Sequence, residues 1–245
     1  AAIAPSLAEM GSLIVLCLYT KAKIDKEKYG LKPVYDGQLL IKVLNLSVWS
    51  MLHAFISVVP WFLFFVAIEH LGKTELAISN ITRSVSAIFF VIANSFAVTT
   101  GSLVSNAIGA RARNELFPIC HKVLKLGYAV GIPFVVVALL CNRWIVSFYT
   151  DNELLIELAF APFVMMLLNY TFALPGYVYL NAVGGTGKTK ITFLSQVTTT
   201  CVYLVYLYWL SFCIKASLSL YLTAEYLFVI LLALQSIIYL KSKHY

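Results

Sequence analysis

Residues 74–110 read TELAISNITRSVSAIFFVIANSFAVTTGSLVSNAIGA, an apolar run that carries small polar side chains along its whole length. Because about twenty apolar residues cross the hydrocarbon of a bilayer as a helix, this run predicts a transmembrane helix. A helical wheel places Ser79, Arg83, Ser86, Ala87, Phe90, Asn94, Ala97 and Gly101 on one side, and Ile81, Val85, Ile88, Ile92, Phe96 and Leu103 on the other. We expect the first side to face protein or water and the second side to face lipid.

Arg83 lies inside this apolar helix. A guanidinium at such a depth is costly unless it faces a cavity or an acidic partner, so Arg83 is a candidate functional residue. The alternative is a buried ion pair that only locks helices together. At about 1.5 Å of rise per residue, Glu225 lies within about 3 Å of the depth of Arg83 and Glu157 within about 8 Å. Both remain possible partners, because the sequence does not say which helices are neighbours.

The composition indicates an integral membrane protein. Hydrophobic residues make up 61% of the chain and charged residues 12%, and the mean hydropathy is +0.87. Seven segments are apolar and long enough to span a bilayer, which predicts an all-α membrane fold. They are residues 2–20, 46–68, 75–107, 123–148, 154–182, 190–213 and 219–240. The five cysteines occur singly, without a CxxC pair, so we expect no disulfide framework, no metal site and no bound cofactor.

The basic residues follow the positive-inside rule. If the gap after the first segment is cytoplasmic, fourteen lie inside: Lys21, Lys23, Lys26, Lys28, Lys32, Lys42, Arg111, Arg113, Lys122, Lys125, Lys188, Lys190, Lys241 and Lys243. Three lie outside: Lys73, Arg143 and Lys215. The net charge of +7 therefore indicates topology and not nucleic-acid binding. We expect the lysine-rich connector and the C-terminus to be cytoplasmic, with the chain in the plasma (inner) membrane.

The same alternation predicts the domain organisation. Residues 1–20 form one transmembrane helix, residues 21–45 a cytoplasmic connector, residues 46–240 six further helices and residues 241–245 a cytoplasmic tail. Within the connector, residues 38–44 are either a segment lying on the membrane surface or the start of the next span. The sequence starts with Ala1, inside an apolar segment without a basic leader, so we expect it to begin within a larger protein.

Several polar and aromatic residues at membrane depth are candidates for lining a cavity, with ordinary packing as the alternative. Pro175 and Gly176 predict a break or kink in the fifth span of the seven, and a break at this depth must face protein or water. Aromatic faces suit organic cations, and His53 is either a packing residue or a proton carrier. The cavity candidates are Trp49, His53, Arg83, Phe90, Asn94, Asn169, Tyr170, Pro175 and Tyr177, with Trp61 as a further aromatic.

The segment from Ala182 to Thr189, AVGGTGKT, is similar to a phosphate-binding loop with Ala in place of the first Gly. Such a loop needs a strand before it and an acidic magnesium partner on another strand. Here the segment follows a membrane span. We therefore predict a tight cytoplasmic turn and no bound nucleotide.

Four stretches of the sequence resemble the multidrug and toxin extrusion (MATE) transporters. They are EHLG at 69–72, LAISNITR at 76–83, GSLVSNAIGARAR at 101–113 and NAVGGTGKTK at 181–190. The resemblance covers residues 45 to 240 and implies a transporter of twelve helices in two six-helix lobes with a cleft between them. This chain would supply the sixth helix, the connector and the C-terminal lobe, and the N-terminal lobe of the same protein would be its partner.

The resemblance implies export of cationic or amphipathic organic compounds, driven by inward flow of Na⁺ or H⁺. Some sodium-coupled members carry acidic residues in the seventh and tenth helices, where this sequence has Ser57 and Ala173. We therefore expect the coupling-ion site in the N-terminal lobe, where the family has an Asp in the first helix.

Two other readings of the sequence stay open. A lipid-linked oligosaccharide flippase of the same superfamily would hold pyrophosphate with cavity arginines, and it predicts more cationic cavity residues than Arg83 alone. A membrane-embedded enzyme would need clustered acidic or histidine residues. The four histidines are isolated in sequence, so we do not expect an enzyme.

Overall fold

A computed structural model describes residues 3–23, 35–214 and 217–242, and this part of the chain is built of helices connected by short turns. The helices are α1 (Ile3–Lys23), α2 (Gly37–Glu69), α3 (Lys73–Gly109), α4 (Leu116–Leu140), α5 (Asn142–Ser147), α6 (Glu153–Leu168), α7 (Tyr170–Gly185), α8 (Thr189–Trp209) and α9 (Leu218–Lys241). A 3₁₀ turn at Arg113–Glu115 precedes α4, and a π-helical turn at Leu210–Ile214 follows α8. The predicted all-α fold is confirmed.

Six stretches of the described residues are long and apolar enough to cross a membrane. They are Gly37–Glu69, Lys73–Gly109, Arg113–Leu140, Glu153–Gly185, Thr189–Phe212 and Leu218–Lys241. The first predicted segment is also a helix, α1, but it is not among these six stretches. The predicted span 123–148 is displaced: α4 starts earlier and ends at Leu140, and a separate short helix follows.

The chain divides into two compact units, Ala1–Val43 and Leu44–Tyr245. In the smaller unit, the Asp36 carboxylate accepts hydrogen bonds from the backbone N–H of Gln38 at 2.9 Å and of Leu39 at 3.1 Å. These bonds cap the N-terminus of α2, so residues 38–44 are the helical start of the next span. Residues 24–34 of the predicted connector and residues 243–245 of the tail lie outside the described part of the chain.

Helix α7 is the centre of the larger unit and packs against α3, α4, α8 and α9. Glycines allow the closest approaches: a Cβ on Gly176 would lie 2.7 Å from the Val229 carbonyl oxygen of α9, and one on Gly185 would lie 2.4 Å from the Gly101 carbonyl oxygen of α3. The Ser105 hydroxyl donates to the Gly185 carbonyl at 2.8 Å. Small residues therefore place the backbones of α3, α7 and α9 in direct contact.

The fifth predicted span is divided into two helices, and the boundary between them precedes Pro175. The helix is interrupted at Asn169, between α6 and α7, and Pro175 lies inside α7. Proline removes the donor for the carbonyl four residues earlier, which is Thr171, and the Tyr128 hydroxyl of α4 donates to that carbonyl at 2.7 Å. With the vacant acceptor satisfied from a neighbouring helix, α7 continues through Pro175.

The predicted division of α3 into a polar and a lipid-facing side is partly wrong. Ile81 and Val85, expected to face lipid, are buried at 8% and 5% exposure, whereas Ile88 is 63% exposed. The reason is that α3 packs against three helices, α4, α6 and α7. Neighbouring helices therefore cover more of the circumference of α3 than the single protein-facing side that an amphipathic pattern predicts.

Candidate functional site

A cavity of about 670 Å³ opens among α2, α3, α6, α7, α8 and α9. Of the candidates named from the sequence, His53, Arg83, Phe90, Asn94, Asn169, Tyr170 and Tyr177 line it, and Trp61 does too. Trp49 and Pro175 do not. Its volume is within the range of about 300–1,000 Å³ that suits drug-sized ligands.

An ion pair joins α3 to α9 at this cavity. Arg83 Nη2 lies 2.5 Å from Glu225 Oε1, and the two side chains are 10% and 18% exposed. The hydroxyl of Tyr203, from α8, donates to the same Glu225 oxygen at 3.1 Å. Glu157, the other possible partner, is exposed and does not line the cavity. The choice between the two acids follows from the packing of α9 beside α7, which brings Glu225 to the level of Arg83.

Aromatic rings of α2 cover the Arg83 guanidinium. Its central carbon lies 4.0 Å from the ring centroid of Phe64 and 5.3 Å from that of Phe65, and Phe64 is fully buried. Cation–π contacts of this kind are worth about 2 kcal/mol when desolvated. The Arg83 Nε atom is buried without a hydrogen-bond partner. Arg83 is thus held by a carboxylate on one side and by two rings on the other.

Two ring pairs form the aromatic wall of the cavity. Phe90 and Tyr177 meet edge to face with centroids 5.4 Å apart, and Phe89 and Tyr170 meet at 6.4 Å. The Tyr170 hydroxyl already has a hydrogen-bond partner outside the cavity, because it donates to the Gly127 carbonyl of α4 at 2.8 Å. Tyr170 therefore offers ring atoms to the cavity, and Phe90, which is half exposed, offers a larger apolar face.

Amide side chains supply the uncharged polar part of the lining. Asn94, Asn169, Asn181 and Gln196 all line the cavity. The Asn169 Oδ1 atom is buried without a partner, whereas Asn181 Nδ2 donates to the Tyr177 carbonyl at 2.9 Å. Asn181 and Gln196 were not predicted from the sequence. Gln196 could have been noticed as an amide in the middle of an apolar span.

His53 lies where the main cavity adjoins a second one of about 340 Å³, and it lines both. Its Nε2 atom is buried without a hydrogen-bond partner. The second cavity is lined mainly by small residues, among them Ser50, Ser102 and Thr192. Leu180 and Asn181 are also shared between the two cavities, so the polar lining continues from one to the other.

Trp49 is not part of the cavity lining, and its ring contacts α8 instead. The Trp49 ring centroid is 5.5 Å from the Phe193 ring centroid, and Lys190 Nζ lies 5.3 Å from the Trp49 ring centroid. Pro175 is half buried within α7 and is not part of the lining. The phosphate-loop-like segment is the end of α7 followed by a turn at residues 186–188, with Gly187 at φ +81°.

Within the residues that the structure describes, no group of three or more His, Cys, Asp or Glu side chains could hold a metal ion. The two charged groups found in the lining are those of Arg83 and Glu225. The cavity can therefore enclose an amphipathic organic molecule against aromatic rings and amides, beside a neutralised pair of charges.

The comparisons with known proteins agree with this architecture. The MatE family profile matches residues 50–210, which is more than half of the chain. This chain belongs to the MatE family. No curated protein sequence gives a match.

Solved structures of MATE proteins share the fold of this MatE chain. An outward-facing multidrug resistance MATE family transporter of the MOP superfamily matches with a TM-score of 0.73 and 17% identity, covering 82% of this chain and 45% of that one. A mutant form of a Vibrio cholerae MATE transporter matches with a TM-score of 0.72 and 15% identity, covering 84% of this chain and 46% of that one. The chain thus spans under half the length of these structures.

A third similar structure is a MOP superfamily transporter from Pyrococcus furiosus, with a TM-score of 0.66 and 17% identity, covering 80% of this chain and 43% of that one. It is described as having a binding pocket of reverse polarity that suggests a different function.

In the MatE chain described here, Ser57 and Ala173 both line the cavity. These are the positions near which the resemblance implied acidic residues in some sodium-coupled members.

Proposed function

We infer that this chain is part of a secondary active transporter that exports amphipathic or cationic organic compounds by cation-coupled antiport. The observation that carries this proposal is a drug-sized cavity within a bundle of membrane-length helices, lined by aromatic rings, amides and one ion pair. In such transporters the substrate site lies near the bilayer midplane, and ion binding biases which side of the membrane it faces.

The proposal includes the expected partners. The second wall of the substrate cleft would come from an N-terminal lobe of the same protein. The lysine-rich connector and the C-terminus would lie on the cytoplasmic side of the plasma membrane. The coupling site for Na⁺ or H⁺ would lie in the N-terminal lobe, because Ser57 and Ala173 offer no carboxylate to this cavity.

The flippase reading receives less support. Holding a pyrophosphate calls for several free cationic groups, and in the described lining the guanidinium of Arg83 is already paired with Glu225. The enzyme reading receives less support as well, because no group of three or more His, Cys, Asp or Glu side chains that could hold a metal ion is found among the described residues. Neither is therefore our proposal.

Efflux from vesicles tests the proposed function. Vesicles containing the full-length protein are loaded with a fluorescent organic cation, and dye loss is followed under an inward Na⁺ gradient, an inward H⁺ gradient or neither. We expect one gradient to accelerate efflux, and Arg83→Ala to lower the rate while the exposed change Arg143→Ala does not. Efflux that is indifferent to both gradients would contradict cation-coupled export.

A further inference from the structure

We propose that the outer face of α4, together with the turn before it, is a binding site for an anionic phospholipid. The site combines an exposed apolar stripe on α4 with four basic residues: Arg111, Arg113, Lys122 and Lys125. None of these four residues lines either of the two cavities described above. The inference therefore goes beyond the proposed transport function and does not depend on it.

Helix α4 has one buried face and one exposed face. The buried face packs on the neighbouring helices and consists of Cys120, Val123, Gly127, Gly131, Val135 and Ala138. The exposed residues recur on the other side at the same spacing of three or four: Lys122, Leu126, Ala129, Pro133, Val137 and Leu140. From Leu126 to Leu140 this exposed side is apolar over about 21 Å, which suits contact with acyl chains.

The two lysines lie where the apolar stripe ends. Lys122 is about 6 Å beyond Leu126 along the helix axis, and Lys125 lies beside Lys122 because residues three apart are neighbours on a helix. A lysine stem can lie along apolar surface while its ammonium group reaches the lipid headgroups. Arg111 and Arg113 lie further out, between the end of α3 and the start of α4. A phospholipid with a chain along the stripe would thus place its phosphate beside basic side chains.

These basic side chains are exposed and are not neutralised within the part of the chain that the structure describes. Neither of the two ion pairs found there, Arg83–Glu225 and Arg143–Glu153, includes any of them. Glu115 is the one acidic residue between the arginines and the lysines. Clusters of four or more basic residues on the cytoplasmic side of a membrane helix attract anionic lipids, and the proposed orientation assigns this end of α4 to that side.

The backbone at Arg111 supports a role for its side chain. Arg111 follows Ala110 at the end of α3 and has φ 60°, in the left-handed region. Glycine is the usual residue at such a helix end, because it has no Cβ to clash. Backbone stability therefore does not account for an arginine here, whereas a contact made by its guanidinium does.

Lipid titration of the purified full-length protein in an uncharged detergent tests the site. Phosphatidylglycerol or phosphatidylcholine with the same acyl chains is added, and native mass spectrometry measures the lipid-bound fraction. Two variants each remove two charges from the site: Lys122→Gln/Lys125→Gln and Arg111→Gln/Arg113→Gln. The matched control, Lys73→Gln/Arg143→Gln, removes two charges near the opposite ends of α3 and α4. Because both lipids are compared within one preparation, partial loss of folded protein does not change the ratio of their affinities.

We expect the wild type and the control to bind phosphatidylglycerol more tightly than phosphatidylcholine. Each site variant should lose roughly fivefold to twenty-five-fold of this preference, since one basic residue near anionic lipid corresponds to about fivefold in affinity. A wild type without the preference, or a site variant with the same preference as the control, would overturn the site. Displacement of phosphatidylglycerol by inorganic phosphate or by the deacylated headgroup would overturn it too, because the site would then bind soluble phosphate. The efflux assay is a separate measurement, so its failure would contradict the proposed function and leave the lipid site standing.

Discussion

Replacing Arg83 with Gln should destabilise the full-length protein far more than the same change at Arg143. Both arginines pair with a glutamate, but the Arg83–Glu225 pair is 10% and 18% exposed, whereas the Arg143–Glu153 pair is 77% and 76% exposed. Removing one partner of a buried pair leaves an unpaired charge and costs about 3–5 kcal/mol. An exposed pair contributes about 0–1 kcal/mol.

The structure places the expected loss of stability at or just below the lower end of the range for buried pairs. In Arg83→Gln, Glu225 keeps the hydrogen bond from Tyr203 and some access to the cavity, so we expect a loss of about 2–3 kcal/mol. The contact of the guanidinium with Phe64 is lost as well, which contributes to that figure. Arg143→Gln should cost less than about 0.5 kcal/mol, as most exposed substitutions do.

Thermal melting of the purified full-length protein, followed by intrinsic fluorescence at one scan rate, measures these changes. The melting temperature should fall by several degrees in Arg83→Gln and by about a degree or less in Arg143→Gln. Arg83→Gln combined with Glu225→Gln should recover part of the loss, since no buried charge then lacks a partner. Equal shifts for the two single arginine variants, or a double variant that loses the sum of both single losses, would refute the reasoning.

Two further predictions concern packing and the cavity wall. Gly131→Ala should lower the melting temperature, because its Cβ would lie 2.1 Å from the Tyr170 hydroxyl, a clash worth about 1–3 kcal/mol. Gly109→Ala, which meets nothing within 4 Å, is its control, and equal melting would contradict the packing argument. Trp61→Leu should weaken binding of a fluorescent organic cation to the purified full-length protein roughly threefold to tenfold, as loss of one aromatic contact does. Trp49→Leu should leave this binding unchanged, because of these two tryptophans only Trp61 lines the cavity. Equal weakening by both would show that the cavity boundary is wrong.

The sequence-based prediction of the fold was based on hydropathy and on the distribution of charged residues. Apolar length located the spans from α2 onward, because a bilayer fixes how long an apolar helix must be. The capping of α2 by Asp36 and the bond from Tyr128 to the Thr171 carbonyl depend on particular side-chain contacts. Hydropathy does not report such contacts. The start of α2 was therefore left open, and the helix boundary at Asn169 was not predicted.

Part of the candidate site was also predictable from hydropathy. Arg83 was identifiable because a guanidinium within an apolar helix needs a partner. Comparing how deep each acidic residue lies along its helix reduced the possible partners to Glu225 and Glu157. The choice between them required knowing that α9 packs beside α7, which is a property of tertiary structure. Trp49 was assigned to the cavity because an aromatic residue at membrane depth gives the same sequence signal whether it lines a cavity or packs on a neighbouring helix.

Cysteine accessibility tests most directly whether the Arg83–Glu225 cavity is a water-filled compartment of a transporter. Asn94 lines the cavity, and Ile88 lies on another side of α3, 63% exposed and outside the lining. Each is replaced by cysteine in a full-length protein whose native cysteines, including the five of this chain, have been changed to serine, and vesicles are treated with a charged, membrane-impermeant thiol reagent. We predict that Asn94→Cys reacts and that the fluorescent organic cation of the efflux assay slows its reaction, whereas Ile88→Cys stays unmodified. Reaction at Ile88→Cys with none at Asn94→Cys would contradict the account.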